Sequence, residues 1–220
     1  MSIKEKAKVI GWIGTDKYDL ILYFSMILTS TNKKVLLIDQ SESEALSYCI
    51  PAPASLNPKS DKVTYKNLDF VKGKNVVDYI EKYDYILIDF GFKVNHRDII
   101  NYCSKIFLVT DRQQHNIDRI CALEAKTDDI FLILRDLRRR TKITVLQESI
   151  EQRIKIKNHF VLDFDDIDNE KMVALQYSYQ LQYKKLSSQY KYLLEQIMTE
   201  ILNFNHYELG QAMKRLKRGA

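Results

Sequence analysis

Short, uninterrupted apolar runs that end at a carboxylate constrain this chain more than any other feature. Val35-Leu-Leu-Ile-Asp39 and Tyr85-Ile-Leu-Ile-Asp89 share that design, and Val9 to Ile13, Ile106 to Thr110 and Ile130 to Leu134 are runs of the same kind. A strand with water on one face alternates apolar and polar side chains, so runs without alternation belong to strands covered on both faces. The segments between them read as helices: Lys17 to Thr31, which has almost no polar face, Asn75 to Lys82, and His115 to Lys126. Strands alternating with helices predict an α/β fold with a doubly wound, mostly parallel sheet. Val63 to Leu68 reads as a further short strand, and Val145 and Phe160 to Leu162 as edge strands. Asn32 falls at the C′ position of the first helix, where the left-handed conformation is tolerated. All three prolines, at 51, 53 and 58, mark a long surface loop from Ile50 to Lys62.

With 220 residues, 45% of them hydrophobic, the chain can bury one substantial core and carry an appended helix. The expected organisation is an α/β domain over 1–168 and a C-terminal helical extension over 169–220 that packs on it and ends in a basic tail. Within the extension, Met172, Gln176, Tyr179, Tyr183, Leu186, Tyr190, Leu193, Ile197 and Ile201 recur at threes and fours, predicting one long amphipathic helix or two with a bend. Such a stripe packs on the protein's own sheet, or, because it is rich in tyrosine, offers a surface to a partner or a second copy. Cys49, Cys103 and Cys121 and the four scattered histidines lack paired-ligand spacing, so buried thiols and no metal site are expected. The chain has no apolar leader and no run of about 18 apolar residues, which places the expectation in the cytoplasm. A net charge of +5 permits contact with anionic lipid or an acidic partner and does not demand nucleic acid.

The segment Lys8 to Asp19 has the outline of a phosphate-binding loop. Such a loop runs strand, Gly-rich turn, Gly-Lys-Ser/Thr, helix, so that backbone N–H groups wrap phosphates, the Lys neutralises them and the hydroxyl holds Mg²⁺. Here Gly14 and Lys17 are present, but Asp16 stands where Gly is expected and Tyr18 and Asp19 where hydroxyls are expected. Two carboxylates facing a polyphosphate at a helix N-terminus would each oppose it by about 4 kcal/mol at an effective dielectric near 20. The alternative for Asp16 is a local one, capping the helix through its side chain.

The order of these features resembles the MinD/ParA family of deviant-Walker ATPases, over roughly Lys8 to Leu134, and within it the divergent TadZ/CpaE-like proteins of pilus and secretion systems. The family's loop, Lys-Gly-Gly-x-Gly-Lys-Thr-Thr, falls on Trp12 to Asp19, so the signature Lys that acts across a dimer is replaced by Trp12. The resemblance implies a P-loop NTPase fold of the MinD/ParA type and places Asp39 in the position that manages the attacking water or metal, and Asp89 in the metal-linked Walker B position. Gly14, Lys17, Asp39 and Asp89 are therefore the candidate nucleotide site, in vestigial form. No confident catalytic residue and no dedicated cofactor is expected, with ATP and Mg²⁺ bound weakly if at all. Strand-end Asp residues also arise as turn formers and caps.

On this basis the chain reads as a pseudo-ATPase serving as a localisation or scaffold subunit of a pilus or secretion machine. Its expected partners are proteins, among them a secretion or pilus ATPase, and a second copy in a homodimer. Rivals are an unconventional ATPase that cycles a dimer and a ParA-like DNA partition factor. The partition rival would use Arg135, Arg138, Arg139 and Arg140, a cluster that otherwise reads as a solvated loop, and nucleic acid is not the expected partner. In the tail, Leu209, Met213 and Leu216 share a helical face ringed by Lys214, Arg215, Lys217 and Arg218, the composition of a weak interfacial helix. Peripheral contact with the inner face of the membrane is the expectation it raises.

Overall fold

A computed structural model describes residues 6–51, 62–73, 75–93, 97–138 and 142–217. Eight strands form one sheet: β1 (Lys8–Gly14), β2 (Val35–Asp39), β3 (Val63–Tyr65), β4 (Leu68–Lys72), β5 (Tyr85–Asp89), β6 (Lys105–Thr110), β7 (Ile130–Leu137) and β8 (Asn158–Asp163). Their spatial order is β3-β4-β2-β5-β1-β6-β7-β8, and only the β3–β4 pair is antiparallel. Each run expected as a two-faced strand is one. Its alternate residues enter two separate apolar clusters, Ile10, Trp12, Leu37 and Leu87 on one face and Val9, Ile13, Leu36 and Ile86 on the other. The continuous apolar spelling follows from that double burial.

Helix α1 (Tyr18–Ser30) is buried over eleven consecutive residues because the C-terminal part of the chain covers the side the sheet leaves open. It ends where expected, with Asn32 at φ 61°. The remaining helices are α2 (Arg97–Ile100), α3 (Gln114–Ile120), α4 (Ile143–Glu151), α5 (Asp166–Ser178), α6 (Ser188–Gln196) and α7 (His206–Lys217). Several expectations need correction. Residues 63–72 form a hairpin through Lys66 and Asn67, both left-handed, rather than one strand. The stretch read as a helix from Asn75 is a single 3-10 turn, Val76–Asp78. Val145 lies in α4, where Ile150 is buried against the sheet while Val145 stays exposed, so the apolar residues there serve a helix face. The proline loop lies mostly outside the described residues.

The stripe of 169–204 is not one long helix. It breaks at Tyr179, left-handed with φ 56°, passes a 3-10 turn at Tyr183–Lys185, and resumes as α6, whose last turn widens into a π-helical turn, Ile197–Ile201. Ser187 caps α6 by accepting from the Tyr190 N–H. Tyr183 and Tyr190 are buried, so they serve the core and are not the exposed positions a partner would meet. The tail also departs from its expected role. Leu209, Met213 and Leu216 are buried within the α1-side core cluster, α7 lies along α1, and Arg215 donates to the Ser30 carbonyl at its end. The apolar face that would enter a bilayer is already occupied by the protein. None of the described helices is long and apolar enough to cross a membrane.

This packing makes a measurable distinction. Leu209→Ala, which removes a fully buried side chain, should lower unfolding stability by about 3 kcal/mol in urea titrations. A solvent-facing anchor helix would show no change.

Candidate functional site

The three strand ends singled out in the sequence meet at one edge of the sheet. Asp39 and Asp89 are register partners across β2 and β5, and Asp89 is also opposite Trp12 of β1. The chain leaves β1 toward β2 on one side and passes from β5 to β6 on the other. The C-terminal ends of β1 and β5 thus flank the position at which ligands bind in doubly wound sheets. Gly14, Lys17, Asp39 and Asp89 lie at this edge, and what they do there can be read from their partners.

Lys17 is only 2% exposed, and its Nζ sits 2.7 Å from Asp89 Oδ1 while donating to the carbonyls of Gly14 at 3.2 Å and Thr15 at 3.4 Å. Its three protons therefore have three acceptors inside the protein. Asp89 Oδ1 also accepts the Gly91 N–H at 2.8 Å. Asp39 closes the following turn: Oδ1 accepts from the Ser41 N–H and hydroxyl, and Oδ2 from the Ser47 N–H. Burial raises the Asp39 pKa above the usual carboxylate value, and the Ser41 hydrogen bonds oppose that rise.

The loop backbone is similarly engaged. The Gly14 N–H donates to the Gly91 carbonyl at 2.6 Å and the Thr15 N–H to the Val109 carbonyl at 2.9 Å, so two amides that a phosphate cradle would turn inward bind the flanking chain instead. Gly14 has φ 126°, and a Cβ there would lie 1.8 Å from the Val109 oxygen. Close approach to β6 accounts for this glycine without any ligand. The cleft in front of the loop encloses about 230 Å³, lined by Lys17, Glu42, Asp89, Phe92 and Arg119 among others. Small-molecule sites usually span roughly 300–1,000 Å³. Arg119, the other cation at the cleft, stacks its guanidinium 3.7 Å over the Phe92 ring.

Asp16 and Asp19 differ from their sequence readings. The helix begins one residue later than a capping Asp16 requires: its N-cap is Lys17, with no side-chain cap, and Asp16 is exposed at the cleft. Asp19 does not face the cleft at all. It is 1% exposed and binds Arg135 through two nitrogens, NH1 at 2.9 Å and NH2 at 3.3 Å, and its second oxygen accepts the Tyr190 hydroxyl at 2.8 Å. Arg135 donates further to the Asp16 carbonyl, the Asp136 carboxylate and Met172 Sδ, which engages its whole guanidinium fork. The strand prepares this aim. Asp136 is left-handed at φ 57°, and the β7–β8 register shifts between Arg135 and Leu137. Such a bulge re-aims the side chain beside it. Burial acts to lower the Arg135 pKa, but the charges of Asp19 and Asp136 and the Asp19 hydrogen bonds together outweigh it and the net shift is upward. Arg135 is thus part of the core rather than of a solvated cluster, and Arg139 and Arg140 lie outside the described residues.

Trp12, at the position of the cross-dimer Lys, is buried between Phe107, stacked at 4.6 Å, and Phe24, edge-on at 5.5 Å. It serves packing. Taken residue by residue, the site lacks the hydroxyl that would hold Mg²⁺: Tyr18 is buried, and Asp19 is bound to Arg135. The residues present therefore do not fit a Mg²⁺–nucleotide complex of the usual kind. Among the described residues no cluster of three or more His, Cys, Asp or Glu side chains is placed to hold a metal ion. The Arg135 and Tyr190 contacts were not foreseen from sequence. The signal available was an arginine closing the apolar run Ile130 to Leu134 and an unpaired acid in the first turn of an otherwise apolar helix.

Two expected outcomes follow from this geometry. Asp19→Ala leaves the buried Arg135 without its bidentate carboxylate and should cost about 3–5 kcal/mol, whereas Asp19→Leu combined with Arg135→Met should recover most of that loss in a double-mutant cycle read by urea unfolding. Asp168, at the start of α5, accepts the Ser187 N–H with one oxygen while the other is buried without a partner. Burial raises its pKa, so its contribution to stability is greatest below the unfolded-state value and declines as pH rises through the native one. Asp168→Asn should accordingly raise thermal stability at neutral pH by about 1 kcal/mol. The gain should vanish as the pH of the melts falls below the ordinary carboxylate range.

No protein-family model and no curated protein matches the sequence. Solved structures do resemble the fold. A ParA family ATPase from Chlorobium tepidum aligns over 87% of this chain and 98% of its own, with 16% identity and a TM-score of 0.64. A plasmid partition protein from Borrelia burgdorferi bound to AMPPNP aligns over 90% of this chain and 99% of its own, with 16% identity and a TM-score of 0.60. The cell division protein MinD of Aquifex aeolicus aligns over 90% and 98%, with 13% identity and a TM-score of 0.57. The eight-stranded, mostly parallel sheet with its helices thus has the fold of the MinD/ParA ATPases.

Proposed function

We propose that this protein is a pseudo-ATPase, a partner-binding scaffold or localisation subunit built on the MinD/ParA fold whose nucleotide site has become structural. The observation that carries the reading is the Asp19 network. At the position where the fold's ATPases present a hydroxyl, this chain has a carboxylate turned away from the cleft and held by Arg135 and Tyr190. Turning it back would strand a buried guanidinium, at a cost of several kcal/mol. The Lys17–Asp89 pair points the same way, because the charges that would meet phosphate and metal meet each other. Assignment to a pilus or secretion machine rests on the sequence resemblance to TadZ/CpaE-like proteins.

An unconventional ATPase is the second reading, favoured by the convergence of Lys17, Asp39 and Asp89 at one sheet edge. The partition role carried by the name of the Borrelia protein would use an exposed basic surface. Arg135, the first member of the run that suggested one, is buried. Titration calorimetry with Mg²⁺-ATP separates the first two readings. The pseudo-ATPase should give no saturable heat in the micromolar range and no phosphate release. A dissociation constant in the low micromolar range or tighter overturns it, and turnover abolished by Lys17→Ala establishes the enzyme.

A further inference from the structure

The edge of the sheet opposite the cleft carries a groove that the core does not account for. It runs along the loops that enter β5, β6, β7 and β8, where two cavities of about 490 and 480 Å³ adjoin and share Asn101 and Lys126. Val77 and Tyr102, each 47% exposed, line the first together with Ile99. Leu123, Ile130 and Ile154 give the second an apolar floor, and Leu123 and Ile130 belong to the buried cluster on this face of the sheet. Val77 and Tyr102 have no packing duty, because their neighbours Val76 and Cys103 fill the core in their place.

The polar groups of the groove say what fits it. Asp98 and Lys126 both line the first cavity, Asp128 and Lys155 pair at 3.6 Å beside the second, and Glu124 is the one charge left over in the sum over the described residues. So even a balance selects neither a polyanion nor a strongly basic segment. Asn101, at the junction of the cavities, carries an amide that donates and accepts as a peptide group does, and among the described residues no hydrogen bond engages it. We infer that the groove docks an extended, uncharged segment of a partner protein, which sets one large apolar side chain in each cavity and passes its main chain over Asn101. Apolar anchors seated in pockets, with polar groups around them, are the usual centre of such a contact. A small molecule is a poorer fit, because its site usually encloses roughly 70–90% of it, whereas these cavities are open-sided and follow one another. The inference deepens the scaffold reading, on which it rests for the existence of a partner, by naming where that partner sits and what it presents.

A phage-displayed library of random dodecapeptides, panned on the full chain without nucleotide, supplies the probe. The expected outcome is a family of sequences that share two large apolar residues and carry no excess of either charge. Binding of a synthetic member, read by fluorescence anisotropy, should hold at high salt, because no ion pair is central to it. Tyr102→Asp and Val77→Asp, both at exposed positions, should each raise its dissociation constant tenfold or more, and Asn101→Ala severalfold, with far-ultraviolet dichroism and melting temperature unchanged. Bound peptide should slow hydrogen exchange in 98–104 and 123–130. Tyr207→Lys, on α7, and Lys17→Ala, in the cleft, should leave binding unaltered, so a failure of the nucleotide reading in calorimetry does not imitate a failure here. A selection that converges on nothing overturns the proposal. So does a converged peptide that is strongly charged and released by salt, or one that ignores the Tyr102 and Val77 changes.

Discussion

One buried ion pair ties the sheet, the first helix and the C-terminal extension into a single structure. Arg135 leaves β7 at a bulge, binds the first-turn carboxylate of α1 through two nitrogens, and reaches the Asp16 carbonyl of the loop, while Tyr190 from α6 completes the acid's hydrogen bonding. A pair this buried is costly to desolvate and is not evidence of high stability in itself. Its consequence is specificity. The register of β7, the start of α1 and the seat of α6 are held by one set of hydrogen bonds, and none can move alone without exposing a charge to an apolar interior.

That constraint also governs the sheet edge. In a doubly wound fold the loop after β1 is free to receive a ligand only if its amides and its helix terminus point at empty space. Here the Gly14 and Thr15 amides bind neighbouring strand ends, Lys17 closes on Asp89, and Asp39 folds the next turn around Ser41 and Ser47. The groups gathered at this edge act as turn formers and ion-pair partners. A fold shared with ATPases is compatible with another use, because function is set by the side chains at the site and not by the sheet that carries it.

The C-terminal third illustrates how composition and placement separate. Its tyrosines look alike in sequence, yet Tyr183 and Tyr190 fill the core over α1 while Tyr177 stands in solvent. The break at left-handed Tyr179 makes the difference, since it rotates the helical faces on either side out of phase. Basic residues around Leu209, Met213 and Leu216 likewise suggest an interfacial helix only until their apolar face is seen packed with α1 in one core cluster.

The sequence by itself determined the sheet. Apolar runs of about five residues without alternation read as strands buried on both faces, and Asp39 and Asp89 close two of them that lie side by side in register. It determined the burial of α1 for the same reason, a helix with no polar face. Tertiary structure alone decided what those residues do. Whether Asp19 faces a phosphate or a guanidinium depends on Arg135, 116 positions away, and on a bulge at Asp136 that no local pattern announces. Periodicity reports which face of an element is apolar, through interactions a few residues apart. Pairing between charges across the sheet depends on topology, and becomes visible only when the chain has closed.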